Sequence, residues 1–150
     1  MPNGPVHALT STPAGAAYSF YKSINESGLA RFFESTGGAI GGYIGGVLPD
    51  WIDPPLHPGH RSLAHGLAPV VTGVGSWYRS LDDWQKHQRQ IADQHAYCRA
   101  MSMDFDSTAW HAVAEWVLRV LSGFLAGIGA GYITHVALDF GTPRCLPLVC

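Results

Sequence analysis

Charge is scarce in this chain, and basic charge most of all. Only 13% of the 150 residues are Asp, Glu, Lys or Arg, nine are Lys or Arg, and the formal net charge is -2. Soluble domains average about 25% charged residues. Nucleic-acid binding draws on many phosphate contacts from Lys and Arg, so this composition argues against a nucleic-acid partner. Cysteine is sparse as well. Cys98, Cys145 and Cys150 are odd in number, form no Cys-x-x-Cys pair and follow no signal-peptide pattern. Reduced thiols are therefore expected, with Cys145 and Cys150 the one pair near enough in sequence to join. A phosphate-binding loop is also missing, because no glycine run is followed by Lys and then Ser or Thr. Internal repeats and low-complexity tracts are absent.

What the chain has in abundance is apolar residues, at 47%, and glycine, at 18 residues. Its length suits a single domain, residues 1–150, with a real core. The glycines are ordered. Gly37, Gly41 and Gly45 recur at four-residue spacing, as do Gly38, Gly42 and Gly46, and later Gly123, Gly127 and Gly131. On a helix that spacing makes a smooth stripe along which another helix approaches closely. Tight packing in any small α-protein and a bilayer setting both produce it. The fold class is mainly α: a small helical bundle of glycine-rich, closely packed helices.

In chain order, Pro2, Pro5 and Pro13 limit regular structure at the start, and a helix is predicted over about 12–33. Residues 37–48 are too short for a straight membrane span and read as a buried core helix or a partial membrane entry, ended by Pro49. A further helix begins near His60, with an apolar stripe over 61–75. Residues 80–99 form a polar helix packed by one face, started by a Ser80/Asp83 capping box. His87 and His95 within it read as surface or interface residues. Ser107 is the predicted N-cap of the longest apolar helix, 108–139. Between 117 and 138 its only strongly polar side chains are Arg119 and His135. That length permits a membrane span, with Arg119 placed to snorkel to an interface.

Chemistry concentrates in residues 47–65, where Asp50, Asp53, His57, His60 and His65 sit among prolines directly after the uncharged glycine-rich run. Asp50 falls at a helix C-terminus, where the helix dipole disfavours a carboxylate unless a cation compensates. Far along the chain, His135 and Asp139 are four residues apart, so a helix places both on one face. Ionisable groups in so apolar a segment are costly and are functional candidates by default. Together Asp50, Asp53, His60, His65, His135 and Asp139 form a mixed nitrogen and oxygen donor set. Such a set suits zinc, manganese or iron(II) better than calcium. One or two divalent ions fit it, and water activated there would attack a phosphoryl or acyl centre. Arg61 is the group to hold an anionic substrate. His7 alone reads more readily as a surface residue than as a ligand.

The motif set Leu48-Pro49-Asp50, Asp53, His60-Arg61-x-x-x-His65 and Gly131-Tyr132-x-x-His135-x-x-x-Asp139-x-x-Thr142-Pro143 resembles the YdjM-like, inner-membrane metal-dependent hydrolase family. The resemblance covers most of the chain outside the polar helix near 80–100, and so implies that a polar helical stretch of about 78–105 is an insert. It implies a metal site at helix ends, and it brings in His7, followed by Gly15, as a further ligand. It also implies Asp53 and Arg61 as catalytic groups, a small-molecule or lipid phosphoester substrate, and a location in or on the inner membrane at its cytoplasmic side. Two departures stand out. Many members have aspartates one residue apart and Thr-His-Ser after His-Arg, where this chain has Asp50 and Asp53 three apart and Ala64-His65-Gly66. Lost hydroxyls weaken the shell that supports the ligands. The expectation is a membrane-associated, homo-oligomeric metal-dependent hydrolase. Two alternatives are a structural or self-assembling protein that keeps the metal as a staple and associates through its glycine stripes, and a membrane protein passing ions or protons.

Overall fold

The computed structural model describes residues 4–52 and 74–140, which form four helices: α1 (Gly4–Lys22), α2 (Gly28–Ile52), α3 (Val74–Met101) and α4 (Phe105–Phe140). No strand occurs among the described residues. The helix expected over 12–33 is two helices. Its break follows from local chemistry: Asn25 and Gly28 favour a turn, and the Ser27 hydroxyl accepts from the Ala30 N–H at 3.2 Å as the N-cap of α2. Pro49 does not end α2. It removes only the bond to the Gly45 carbonyl, and it lies buried in the last turn.

Two other predicted helix starts are corrected. Ser80 lies inside α3, where its hydroxyl donates to the Ser76 carbonyl at 3.1 Å and forms no capping box. For α4, Asp104 caps instead of Ser107: its carboxylate accepts from the Ser107 N–H at 3.0 Å. The helix expected over 61–75 lies almost wholly outside the described residues.

Helix α1 runs antiparallel to α2 and α4, which are parallel to each other. The glycines set this arrangement. A Cβ on Gly127 would sit 2.3 Å from the Gly38 carbonyl oxygen, one on Gly131 2.3 Å from the Gly42 oxygen, and one on Gly15 2.6 Å from the Gly42 Cα. Backbone thus touches backbone between α2 and α4 and between α1 and α2, a closeness that only glycine permits. Serines fill the same seam: Ser19 donates to the Gly123 carbonyl at 2.9 Å and Ser11 to the Gly131 carbonyl at 3.3 Å. The glycine stripes therefore serve packing within one chain and are not free for self-association.

The polar stretch expected as an insert is α3, the fourth helix of the bundle. Among the described residues its backbone packs on α4 alone, antiparallel to it. Trp77 meets Tyr132 edge-on with ring centroids 5.6 Å apart, Gln85 donates to Ser122 at 3.1 Å, and Arg99 pairs with Glu115 at 2.9 Å. Side chains also tie α3 to α1, through Tyr78 with Tyr18 and Asp82 with Lys22. Burial, together with the hydrogen bond to Tyr18, pushes the Tyr78 hydroxyl up to about 12. Hydrogen bonds from Lys22 and Lys86 hold the Asp82 carboxyl below its ordinary value.

The interior is unusually polar. Glu34 is fully buried and accepts from Arg89, in a two-pronged pair, and from Arg119 at 3.2 Å. Arg119 also pairs with Glu26 at 3.1 Å and Asp93 at 2.5 Å. Arg119 thus stays inside the bundle and does not snorkel, because the fully buried Glu34 and the partly buried Glu26 pair with it there. Large apolar side chains such as Leu9, Phe32, Ile40 and Val117 face outward.

Replacing Gly127 with Ala forces the Gly38 backbone away, and is expected to lower unfolding stability by about 1–3 kcal/mol. Gly28→Ala, with open space around its Cβ, should be neutral or gain up to about 1 kcal/mol. Urea titration followed by helical circular dichroism checks both, and equal effects at the two positions would refute the packing account.

Candidate metal centre

The antiparallel run of α1 against the parallel pair α2 and α4 brings three chain regions to one end of the bundle. His7 comes from the first turns of α1, Asp50 from the last turn of α2, and His135 with Asp139 from the last turns of α4. Gly46 makes the approach of α1 possible. A Cβ there would lie 2.3 Å from the Ser11 Cβ and 3.3 Å from the His7 carbonyl oxygen.

His7, His135 and Asp139 are all buried, and each offers a ligand atom within 4.8 Å of the others. Asp139 turns one oxygen to each imidazole: Oδ1 is 3.5 Å from His7 Nε2, and Oδ2 is 3.5 Å from His135 Nε2. Asp50 adds Oδ1 at 3.7 Å from His135 Nε2, with its side chain 28% exposed. The two imidazoles stack, with centroids 3.8 Å apart and planes inclined by 22°.

These spacings fit a shared cation. They exceed the reach of a good N–H···O bond, which lies near 2.7–3.2 Å. They match the edge of a coordination polyhedron instead, since two donors each about 2.0–2.1 Å from a tetrahedral ion stand roughly 3.3–3.4 Å apart. The tautomer agrees. His135 Nδ1 lies 2.6 Å from the Gly46 carbonyl oxygen, which can only accept, so Nδ1 carries the hydrogen and Nε2 is turned to the carboxylates. A backbone carbonyl in that role fixes the ring and raises its basicity as a ligand. The group of His7, His135 and Asp139 can therefore hold a metal ion.

Of the residues assigned from sequence, His7, Asp50, His135 and Asp139 converge. Asp53, His60, Arg61 and His65 lie outside the described residues. Sequence reasoning overlooked the Gly46 carbonyl as the orienting acceptor, although Gly46 was visible in the glycine stripe. It also passed over His111, whose Nδ1 lies 2.9 Å from that of His95 across the α3–α4 pair. His95 is thus an interface residue, as expected, and His87 is exposed.

The fold and site define a small, mainly helical bundle with a candidate metal centre at one end. Searches of protein-family models, curated proteins and solved structures find no match to this chain.

Zinc added to metal-stripped protein should raise its thermal midpoint, by an amount equivalent to about 2.7 kcal/mol at a hundredfold excess over Kd. His135→Ala and Asp139→Ala should abolish the rise. A zinc-induced shift of the same size in both variants would rule out this site.

Proposed function

We propose that the chain is a membrane-associated metal-dependent hydrolase acting on phosphoesters. The observation that carries the reading is the meeting of His7, Asp50, His135 and Asp139 at one bundle end. These are four of the positions that the resemblance to the YdjM-like family assigns as ligands, and they come from opposite ends of the sequence. Two imidazoles with carboxylates favour zinc, with manganese and iron(II) as the alternatives. A bound ion would supply Lewis acidity and lower the pKa of water.

The protein's own groups have separate tasks in this reading. His7, His135 and Asp139 would hold an ion, and the Gly46 carbonyl keeps the His135 ring in register. Asp50, the most exposed of the four, lies where substrate and water would arrive. Asp53 would hold or move a proton, and Arg61 would bind the phosphoryl oxygens. Membrane association draws on α4, which is long and apolar enough to cross a bilayer, and on the apolar side chains that face outward. A place at the cytoplasmic side of the inner membrane rests on the resemblance. Homo-oligomers, if formed, would use these outer faces, because the glycine stripes are consumed inside the bundle.

A second reading is a metal staple without turnover. The near-complete burial of three ligands favours it, as does the lack of hydroxyl side chains at Ala64 and Gly66. Elemental analysis and a chromogenic phosphodiester assay separate the two. The hydrolase reading expects at least one metal per chain and turnover, with both metal and rate falling about 10- to 100-fold or more in an Asp50→Ala, His135→Ala variant. Metal without turnover on phosphodiesters or phospholipid vesicles supports the staple. Metal absent from the wild type contradicts both.

A further inference from the structure

The surface of the bundle is divided by charge. Among the exposed residues of α1 and α2 none is charged, and α4 exposes only Asp106, in its first turn. Helix α3 is the opposite: Arg79, Asp83, Lys86, His87 and Asp93 all point outward. Among the described residues α3 packs its backbone on α4 and reaches α1 and α2 through side chains, Tyr78 to Tyr18, Asp82 to Lys22 and Arg89 to Glu34, so its exposed charges and the exposed apolar residues of α1 and α2 belong to separate helices.

This division conflicts with α4 as a membrane span. Helix α3 runs antiparallel beside α4 from His95 against His111 to Trp77 against Tyr132. Any bilayer crossed by α4 would therefore be crossed by α3. The stretch from Arg79 to Asp93 covers about 21 Å at 1.5 Å per residue, most of a hydrocarbon core about 30 Å thick. Charged side chains would line that whole distance, and such groups are rare in lipid because of their cost. A helix with one apolar and one charged face instead lies in the plane of the interface, its apolar face about 5–10 Å deep.

We infer that the bundle lies flat in one leaflet, with the outer faces of α1 and α2 in lipid and α3 in water. The inference deepens the membrane-associated reading above and rests on it. The lipid-facing side chains fit an interfacial depth: Leu9, Phe32 and Ile40 are apolar, whereas Tyr21, Tyr43 and Trp51 carry a polar handle on an aromatic body. This orientation holds the metal-bearing end of the bundle at headgroup depth. The substrate class it selects is the phosphoester of a lipid headgroup, reached sideways along the membrane.

The test uses the full chain with Cys98, Cys145 and Cys150 changed to Ser, added to preformed vesicles of phosphatidylethanolamine and phosphatidylglycerol. Single cysteines are placed along α3 by Ser80→Cys, His87→Cys and Gln94→Cys, and on the apolar faces by Leu9→Cys, Phe32→Cys and Tyr43→Cys. Circular dichroism confirms helix content in each. A membrane-impermeant maleimide outside the vesicles should label all three α3 positions alike, while the other three stay protected, about tenfold or more slower, until detergent is added. Protein that floats with the vesicles but shows a protected His87→Cys site, or α3 ends labelled from opposite sides, overturns the flat orientation in favour of a span or an α3 covered by a second copy. Failure to float, with Leu9→Cys and Phe32→Cys freely labelled, overturns membrane association itself.

Discussion

Close backbone contact among α1, α2 and α4 is the constraint on which the rest depends. Glycine at Gly15, Gly38, Gly42 and Gly127 lets carbonyl oxygens stand where a Cβ would have to be. Packing of this kind does not rely on large apolar side chains in the core, which is why those side chains are on the outside. It relies on van der Waals contact and on serine hydroxyls that bond to neighbouring helix carbonyls. The same closeness sets the depth at which His7 enters the bundle. With any larger residue at Gly46, α1 would be pushed off and the His7 ring would lose its stack on His135.

The two ends of the bundle carry different kinds of polar cluster. At one end, Glu34 is matched by Arg89 and Arg119, and those cations are matched in turn by Glu26 and Asp93. Positive and negative groups are interleaved, and the network locks α3 onto α2 and α4. At the other end, two imidazoles and two carboxylates face one another. The first cluster is balanced by the protein itself. The 3.5 Å spacings of the second suit a metal ion.

Much of this was legible in the sequence, for reasons that differ by element. The glycine stripes have helical spacing, so the close-packed helical bundle could be read directly. His135 and Asp139 are one turn apart, so their shared face followed from helix geometry alone. Asp50 could be placed at a helix end, although the helix proved to run on to Ile52 through Pro49. His7 could not be assigned from spacing, since its meeting with His135 depends on antiparallel packing between opposite ends of the chain; only the family resemblance pointed to it. The break at 23–27 was missed because apolar periodicity continues across it while Ser27 caps locally. Arg119 was misplaced at an interface because its carboxylate partners, the buried Glu34 and the exposed Asp93, come from distant segments.

The central claim is that a metal ion belongs among His7, His135 and Asp139. Anomalous scattering from crystals of the zinc-loaded protein, collected on either side of the zinc absorption edge, tests it most directly. The account predicts a single strong anomalous peak, or a close pair, bounded by those three side chains with Asp50 beside it. A peak only elsewhere, such as at His95 and His111, or none while the four side chains are ordered, would contradict it.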